Sequence, residues 1–522
     1  MRSSFLRLGL GALLALASVG CNDYLTGSSL SGDPNNPTPA NATIDQLFVA
    51  TQTSLTGQLT GELARAACMY TQQCAGTDRQ YQAIGTYVVD ASVFAGSFDR
   101  FYTGGGLTDL RNIQQKALAG TVPDSIYLGV AKVVEAYMIG TAADLWGDVP
   151  YSEAIDPLNH PTPHYDSQLS VYAALQTVLD DGIKALNGST GPGPGSNDLV
   201  YGGAPTKWLQ LAHLLKARYY LHVAEANGAT AYASALAQAQ QGISVASNDY
   251  VTYQSSATTE GNFWYQFQIV QRDSYLRMGK RLVDLLVSRN ESRLAKYFDK
   301  NTTTPWAANK KRKVGDRILD PNNRAEQVTA VAADSLSGGT QPTWATTVGA
   351  TTTDNNVTWT NEGLPYGGAN PGQQLDPTIM SNLSGCGAGG AGGRCDPAFR
   401  QPLATHAETQ LIIAEAAYQT GDPTTALDSL NAERTAAGLS ALVGISGTAL
   451  LDSIMTEKYV VTFQNIEAWS DYKRTCIPSL VPAAGAAQVI GRLPYSIDEV
   501  NTNPNVPSPE PTRNANDPNP CP

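Results

Sequence analysis

Two short runs of the chain set flat aromatic rings beside hydrogen-bonding side chains: Asp78-Arg79-Gln80-Tyr81 with Tyr87, and Asn262-Phe263-Trp264-Tyr265 with Gln266. A sugar presents C–H groups on its ring face and hydroxyls around its edge. Aromatic rings cover the face, and Arg, Asn, Gln or Asp meet the edge. Each ring contact contributes about 1 kcal/mol and each of two or three hydrogen bonds a similar amount, which corresponds to roughly high-micromolar to millimolar binding. The expected ligand-binding residues are Arg79, Tyr81, Asn262, Trp264 and Tyr265. Phe263 is expected to fill the junction between helices and loops, and Trp306, Trp344 and Trp359 are further candidates.

Other chemistry is thinly represented. His160 and His164 lie in His-Pro-Thr-Pro-His, where proline prevents the helical spacing of zinc ligands. His213 and His222 fall in a helical stretch as packing or interface residues. There is no Gly-x-Ser-x-Gly elbow and no phosphate-binding Gly-Lys-Ser/Thr loop. Residues 385–390 spell GxGxxG, but no strand precedes them and no helix follows, so no dinucleotide cofactor is expected. A carboxylate pair for glycoside hydrolysis is defined by distance in space. A surface glycoside hydrolase therefore stands as a weaker alternative, given the scarcity of acids flanked by aromatics.

The cysteines point to an exported chain. Setting Cys21 aside leaves six, falling as Cys68/Cys74, Cys386/Cys395 and Cys476/Cys521. The first two pairs are close in sequence and cheap to close, and the third follows by elimination. No pair has CxxC spacing and no histidine is near Cys386/Cys395, so no metal site is expected.

The segments that must position these residues begin with an address. Arg2 and Arg7 precede an apolar run, Leu8 to Val19, too short for the roughly 20 residues of a membrane-spanning helix. Residues 1–20 read as a signal peptide and Gly20-Cys21 resembles a bacterial lipoprotein site, with Cys21 lipidated; Ser18 departs from the usual Leu. Residues 21–41, rich in Gly, Ser, Pro and Asn, read as a flexible tether. No later segment is expected to span a bilayer. The remaining 42–522 read as one body.

With 522 residues, a net charge of −12 and 42% hydrophobic residues, the chain can bury a large core and is a poor partner for nucleic acid. Trp208, Leu211, Ala212, Leu215, Tyr219 and His222 share one helical face, as do Val130, Val133, Val134, Tyr137, Thr141 and Leu145. Further helices are expected near 43–60, 97–119, 166–187, 230–245, 273–288, 403–420, 423–437 and 448–467. Asp124, Asp166 and Asp422 are expected caps, with Pro423 in the first turn. The fold class is mostly α: tetratricopeptide-like helix pairs supporting an irregular, loop-rich second half, with insertions near 246–270 and 300–400.

Five blocks in order carry a resemblance. They are Asp23-Tyr24-Leu25; residues 131–151, ending Asp144-Leu145-Trp146-Gly147-Asp148-Val149-Pro150-Tyr151; Gly203 to Leu221, with Lys216-Ala217-Arg218; residues 403–439, with Ala414-Glu415-Ala416 and Leu430-Asn431-Ala432-Glu433-Arg434; and residues 454–478, with Glu467-Ala468-Trp469 and Arg474-Thr475, followed by Arg492-Leu493-Pro494-Tyr495. Together they resemble the SusD/RagB family of outer-membrane nutrient-binding lipoproteins. Cys476 stands where one branch of that family usually has Gly. The resemblance implies a helical scaffold, non-catalytic and lipid-anchored on the surface of the outer membrane. It also implies capture of an oligosaccharide, or alternatively a peptide, as the lid of a SusC-like TonB-dependent transporter. Glu415, Arg434, Glu467 and Arg474, in helices with apolar neighbours, are expected to form buried ion pairs.

Overall fold

The computed structural model describes residues 41–373 and 379–521. Cys21, the signal peptide and all of the tether but its last residue lie outside them.

The first helix, α1 (Ile44–Thr60), opens on a capping box: Thr43 Oγ1 accepts from Gln46 N at 3.2 Å and Gln46 Oε1 accepts from Thr43 N at 2.9 Å. Gly61 separates it from α2 (Glu62–Tyr70), and β1 (Cys74–Gly76) and α3 (Arg79–Gly85) follow. The helix expected over 97–119 is two, α4 (Ala95–Arg100) and α5 (Leu107–Leu118). The break is Gly104-Gly105-Gly106, where Gly105 has φ +79° and donates its N–H to Asp109 Oδ2 at 2.6 Å.

Helix α6 (Ser125–Trp146) is capped by Asp124, as expected. Its mean hydropathy of 1.3 and its length would suit a membrane span, contrary to the expectation that no such segment exists. The protein itself buries 83% of that window, so α6 is the core helix. It tolerates neighbours on every side because it carries glycine at the crossings: a Cβ on Gly140 would overlap the Tyr219 ring. The next helix, α7 (Gln168–Gly188), is capped by Ser167 rather than Asp166. The Asp166 carboxylate instead accepts from Tyr151 N and Ser152 N at 2.9 and 2.8 Å, closing the turn after Gly147-Asp148-Val149-Pro150.

Then come α8 (Pro205–His222), α9 (Ala229–Ala239), β2 (Tyr250–Val251), β3 (Leu276–Met278), α10 (Lys280–Arg289) and α11 (Arg293–Tyr297). The helix expected from 273 thus begins as a strand paired antiparallel with β1. Within the 300–400 stretch lies an antiparallel sheet of β4 (Arg317–Leu319), β5 (Ala325–Val331), β6 (Thr351–Asp354) and β7 (Val357–Gly363), in the order β4-β5-β7-β6. Trp306, Trp344 and Trp359 pack with Ile318, Val328 and Val357 as its core, and the indoles of Trp306 and Trp359 both donate to Asp354 Oδ2. Trp344 and Trp359 are buried in the sheet and Trp306 half-buried against it.

The chain closes with β8 (Pro402–Ala404), paired with β2, and α12 (His406–Gln419), α13 (Pro423–Ala436), α14 (Gly447–Val461), α15 (Glu467–Thr475) and α16 (Ile497–Thr502). Asp422 caps α13 with Pro423 in its first turn, as expected. Helices α6 and α7, α8 and α9, and α12 and α13 form antiparallel neighbours, with α9 packed on α12 and α12 on α14. This is the mostly α scaffold of paired helices that the periodicity predicts. All three expected disulfides are present: Cys68–Cys74, Cys386–Cys395 and Cys476–Cys521.

Charges weld the pairs together. Arg218 of α8 bonds Glu408 of α12 at 2.7 Å, and Lys458 of α14 bonds Asp471 of α15 at 2.7 Å. Arg474 of α15 pairs with Glu415 of α12, and Glu467 with His222, so three of the four expected buried ion-pair residues behave as expected. Arg434, half-buried, bonds the Ser440 carbonyl and reaches Glu457 only at 3.9 Å.

Candidate functional site

Helix α1 shows one face to a groove made of two adjoining hollows, about 570 and 530 Å3 in volume, which share Thr53 and Phe263. The first runs along Ser54, Gly57 and Gln58 to Glu62, Arg65 and Arg100. The second runs past Gln52 and Thr56 to Tyr253, Thr258, Glu260 and Gln266. Two large rings are open in it: Phe263, 38% exposed, and Tyr253, 47% exposed. Phe263 lies against Gly57, where an added Cβ would come within 3.7 Å of its Cζ.

The presentation of Phe263 is built from behind. Asn262 donates its N–H to the Pro397 carbonyl at 2.8 Å and its side-chain amide to the Phe399 carbonyl at 2.9 Å. Its Oδ1 accepts from Trp264 N at 2.8 Å, which starts a single helical turn over Phe263–Tyr265. In that turn Trp264 goes inward, 0% exposed, and Phe263 goes outward. The expectation is therefore reversed at these neighbours: Asn262 and Trp264 are buried supports, and the ring expected to be filler faces the groove. Tyr265 is half-buried against Gly390 and lines neither hollow.

The other expected cluster also acts from beneath. Tyr81 is only 6% exposed; its hydroxyl accepts from Arg65 Nε at 2.7 Å. Arg65 in turn lies 4.2 Å from the Phe267 ring centroid, so Tyr81 and Phe267 hold the guanidinium at the end of the groove. Burial raises the Tyr81 phenol above its ordinary value against the opposing pull of Arg65, which keeps it a neutral acceptor. Arg79 has an exposed side chain over Tyr275 and lines neither hollow. Tyr253 and Phe263 stand ten residues apart in sequence, and no local pattern marks the first of them as exposed.

Among the described residues one group has metal-ligating types within 4.8 Å of one another: Asp144, His222 and Glu467, all buried. Both His222 nitrogens are already engaged, Nδ1 with Asp144 at 2.7 Å and Nε2 with Glu467 at 2.8 Å. Burial alone would favour the neutral ring, but the two carboxylates overcome it and push His222 up to about 10. The trio is a charged clamp between α6, α8 and α15. The GxGxxG run is likewise occupied from within: Gly385 and Gly387 N–H donate to the Asp299 carboxylate at 2.8 and 2.7 Å.

Residues 34–315, which include every groove residue named above, match the SusD-like_2 family, described as starch-binding and associating with the outer membrane. The chain belongs to the SusD-like family. Solved structures repeat its SusD-like fold over nearly the whole chain. A chitin-binding protein superposes with a TM-score of 0.63 at 19% identity, covering 88% of this chain and 94% of its own. A chitin-binding SusD homologue from Flavobacterium johnsoniae gives 0.63 at 16% identity, covering 91% and 99%. A SusD/RagB family protein from Bacteroides thetaiotaomicron gives 0.61 at 18%, covering 89% and 95%. No curated protein sequence matches the chain.

Proposed function

We propose that this SusD-like protein captures an oligosaccharide in the α1 groove and hands it to a SusC-like TonB-dependent transporter, held at the cell surface by a lipid on Cys21. The observation that carries the reading is the pair of exposed rings, Phe263 and Tyr253, lining a groove that also offers amides, hydroxyls and a few charges beside Val49, Leu199 and Val200. Rings of that exposure offer a face to sugar C–H groups, while Gln266, Thr53, Arg65 and Arg100 meet hydroxyls. The starch-binding description of the family and the two chitin-binding structural neighbours support a glycan over a peptide.

The groove favours binding over hydrolysis. Glu62 is the one acid of the first hollow and Glu260 the one acid of the second, whereas hydrolysis uses a carboxylate pair flanking one bond. Affinity electrophoresis of the mature protein against starch, chitin oligosaccharides and a peptide panel tests the reading. Binding to a glycan that Phe263→Ala with Tyr253→Ala abolishes is expected. Peptide preference, glycan binding indifferent to both substitutions, or new reducing ends that persist through repurification would each overturn it.

A further inference from the structure

A second pocket, about 640 Å3, is lined by Lys296 and Tyr297 from within the family-matched segment and by Arg394, Asp396, Phe399 and Arg400 from beyond it, with two glycines and an alanine. Its charges do not balance. The Arg394 guanidinium carbon sits 4.1 Å from the Tyr297 ring centroid, 5.1 Å from Phe463 and 5.4 Å from Phe399. Its side-chain hydrogen bond goes to a neutral group, Gln464 Oε1, at 2.7 Å. No carboxylate among the described residues acts on it, and burial lowers its pKa, as for a cation lacking a counter-charge.

The remaining charges do not make up the deficit. Asp396, the one acid of the lining, is spent on the loop: its oxygens accept from Gly392 N and Ala398 N, both at 2.8 Å. Arg400 is exposed and donates to backbone carbonyls, with Nε 2.9 Å from Thr252 O; Lys296 is exposed too. Three cations thus face one occupied acid in a chain of net charge −12. The loop is held firmly, since Cys395 is bridged to Cys386 and Arg394 N–H donates to Ser384 Oγ at 3.1 Å.

The pocket adjoins the groove. The Arg400 guanidinium carbon is 5.9 Å from the centroid of the exposed Tyr253 ring, and the Asn262 turn that presents Phe263 is tied to the Pro397 and Phe399 carbonyls. We propose that Lys296, Arg394 and Arg400 form a subsite for the carboxylate of a hexuronate unit in a glycan whose neighbouring sugars lie over Tyr253 and Phe263. A guanidinium fork matches a planar carboxylate, the buried Tyr297 ring backs Arg394, and the half-buried Phe399 ring beside it suits the sugar that bears the carboxylate. The inference rests on the glycan-binding reading of the groove and adds the class of glycan.

The test uses the mature protein and oligosaccharides containing galacturonate, glucuronate or mannuronate, each paired with its carboxyl-reduced counterpart, by calorimetry at low and high salt. At least one acidic form should bind about tenfold tighter than its reduced partner. That preference should shrink severalfold in Lys296→Gln and in Arg400→Gln, whose side chains are exposed and whose folding is readily checked, and in high salt. Equal binding of acidic and reduced forms, a preference untouched by both substitutions, or stronger binding of acidic peptides would overturn the inference. Failure of the groove reading looks different: Phe263→Ala would leave both members of every pair unaffected.

Discussion

His222 offers the sharpest test of how the helix pairs are held. Replacing it with Gln keeps the volume roughly constant and removes the charge between Asp144 and Glu467. The two carboxylates raise the ring from its ordinary 6.5 to about 10. At about 1.4 kcal/mol per unit this corresponds to about 5 kcal/mol at most. Breaking a buried pair independently suggests about 3–5 kcal/mol. Because the folded pKa is the higher one, the contribution is fully present below pH 6.5 and is lost as pH rises toward 10.

Urea unfolding of the parent and His222→Gln across pH 6 to 10 reads this directly. The stability gap between them should be widest near pH 6 and narrow by several kcal/mol on approaching pH 10. Taking the gap cancels the tyrosines and lysines that titrate in both proteins. A gap that stays constant over the whole window would refute the charged clamp and leave only packing at this position.

Three further outcomes follow from the packing. Phe263→Ala should weaken glycan retention by roughly three- to tenfold with an unchanged melting curve, whereas its neighbour Trp264→Ala should cost about 3–5 kcal/mol of stability in urea unfolding. Gly140→Ala forces a methyl into the Tyr219 ring at the α6–α8 crossing and should lower stability by about 1–3 kcal/mol or more, read by thermal unfolding. Replacing Cys476 and Cys521 by Ser opens a loop spanning 45 residues and should cost about 4 kcal/mol in urea, with the helical signal retained below the transition.

The helix pairs and the sulfur bridges are legible in the chain because most of their signals are local: periodic apolar faces, caps at Asp124 and Asp422, and two cysteine pairs close in sequence, which leave Cys476–Cys521 by elimination. The sheet within 300–400 is harder to see. Thr351-Thr352-Thr353 carries no apolar alternation, although Val357, Trp359 and Asn361 do alternate inward with Thr358 and Thr360. The 262–266 run announces a site, but which of its rings faces outward depends on the carbonyls of Pro397 and Phe399, far along the chain. For the same reason Tyr253 and Arg400 carry no mark of their own: the groove and its cationic neighbour exist only once distant segments meet.

The C-terminal residues behave as a keystone. Asn514 donates its amide to the Asp144 carbonyl at the end of α6, Asn516 donates to the His222 carbonyl, and Asp517 is the acid facing Lys473. The buried ammonium of α15 also donates to the Asp144 carbonyl at 2.6 Å, but its counter-charge at 3.6 Å comes from a segment translated well after it. A polypeptide clipped in that interval would carry an exposed seam through its middle. Truncation before Asn514 is expected to lower the yield of folded protein, read by limited proteolysis against the parent.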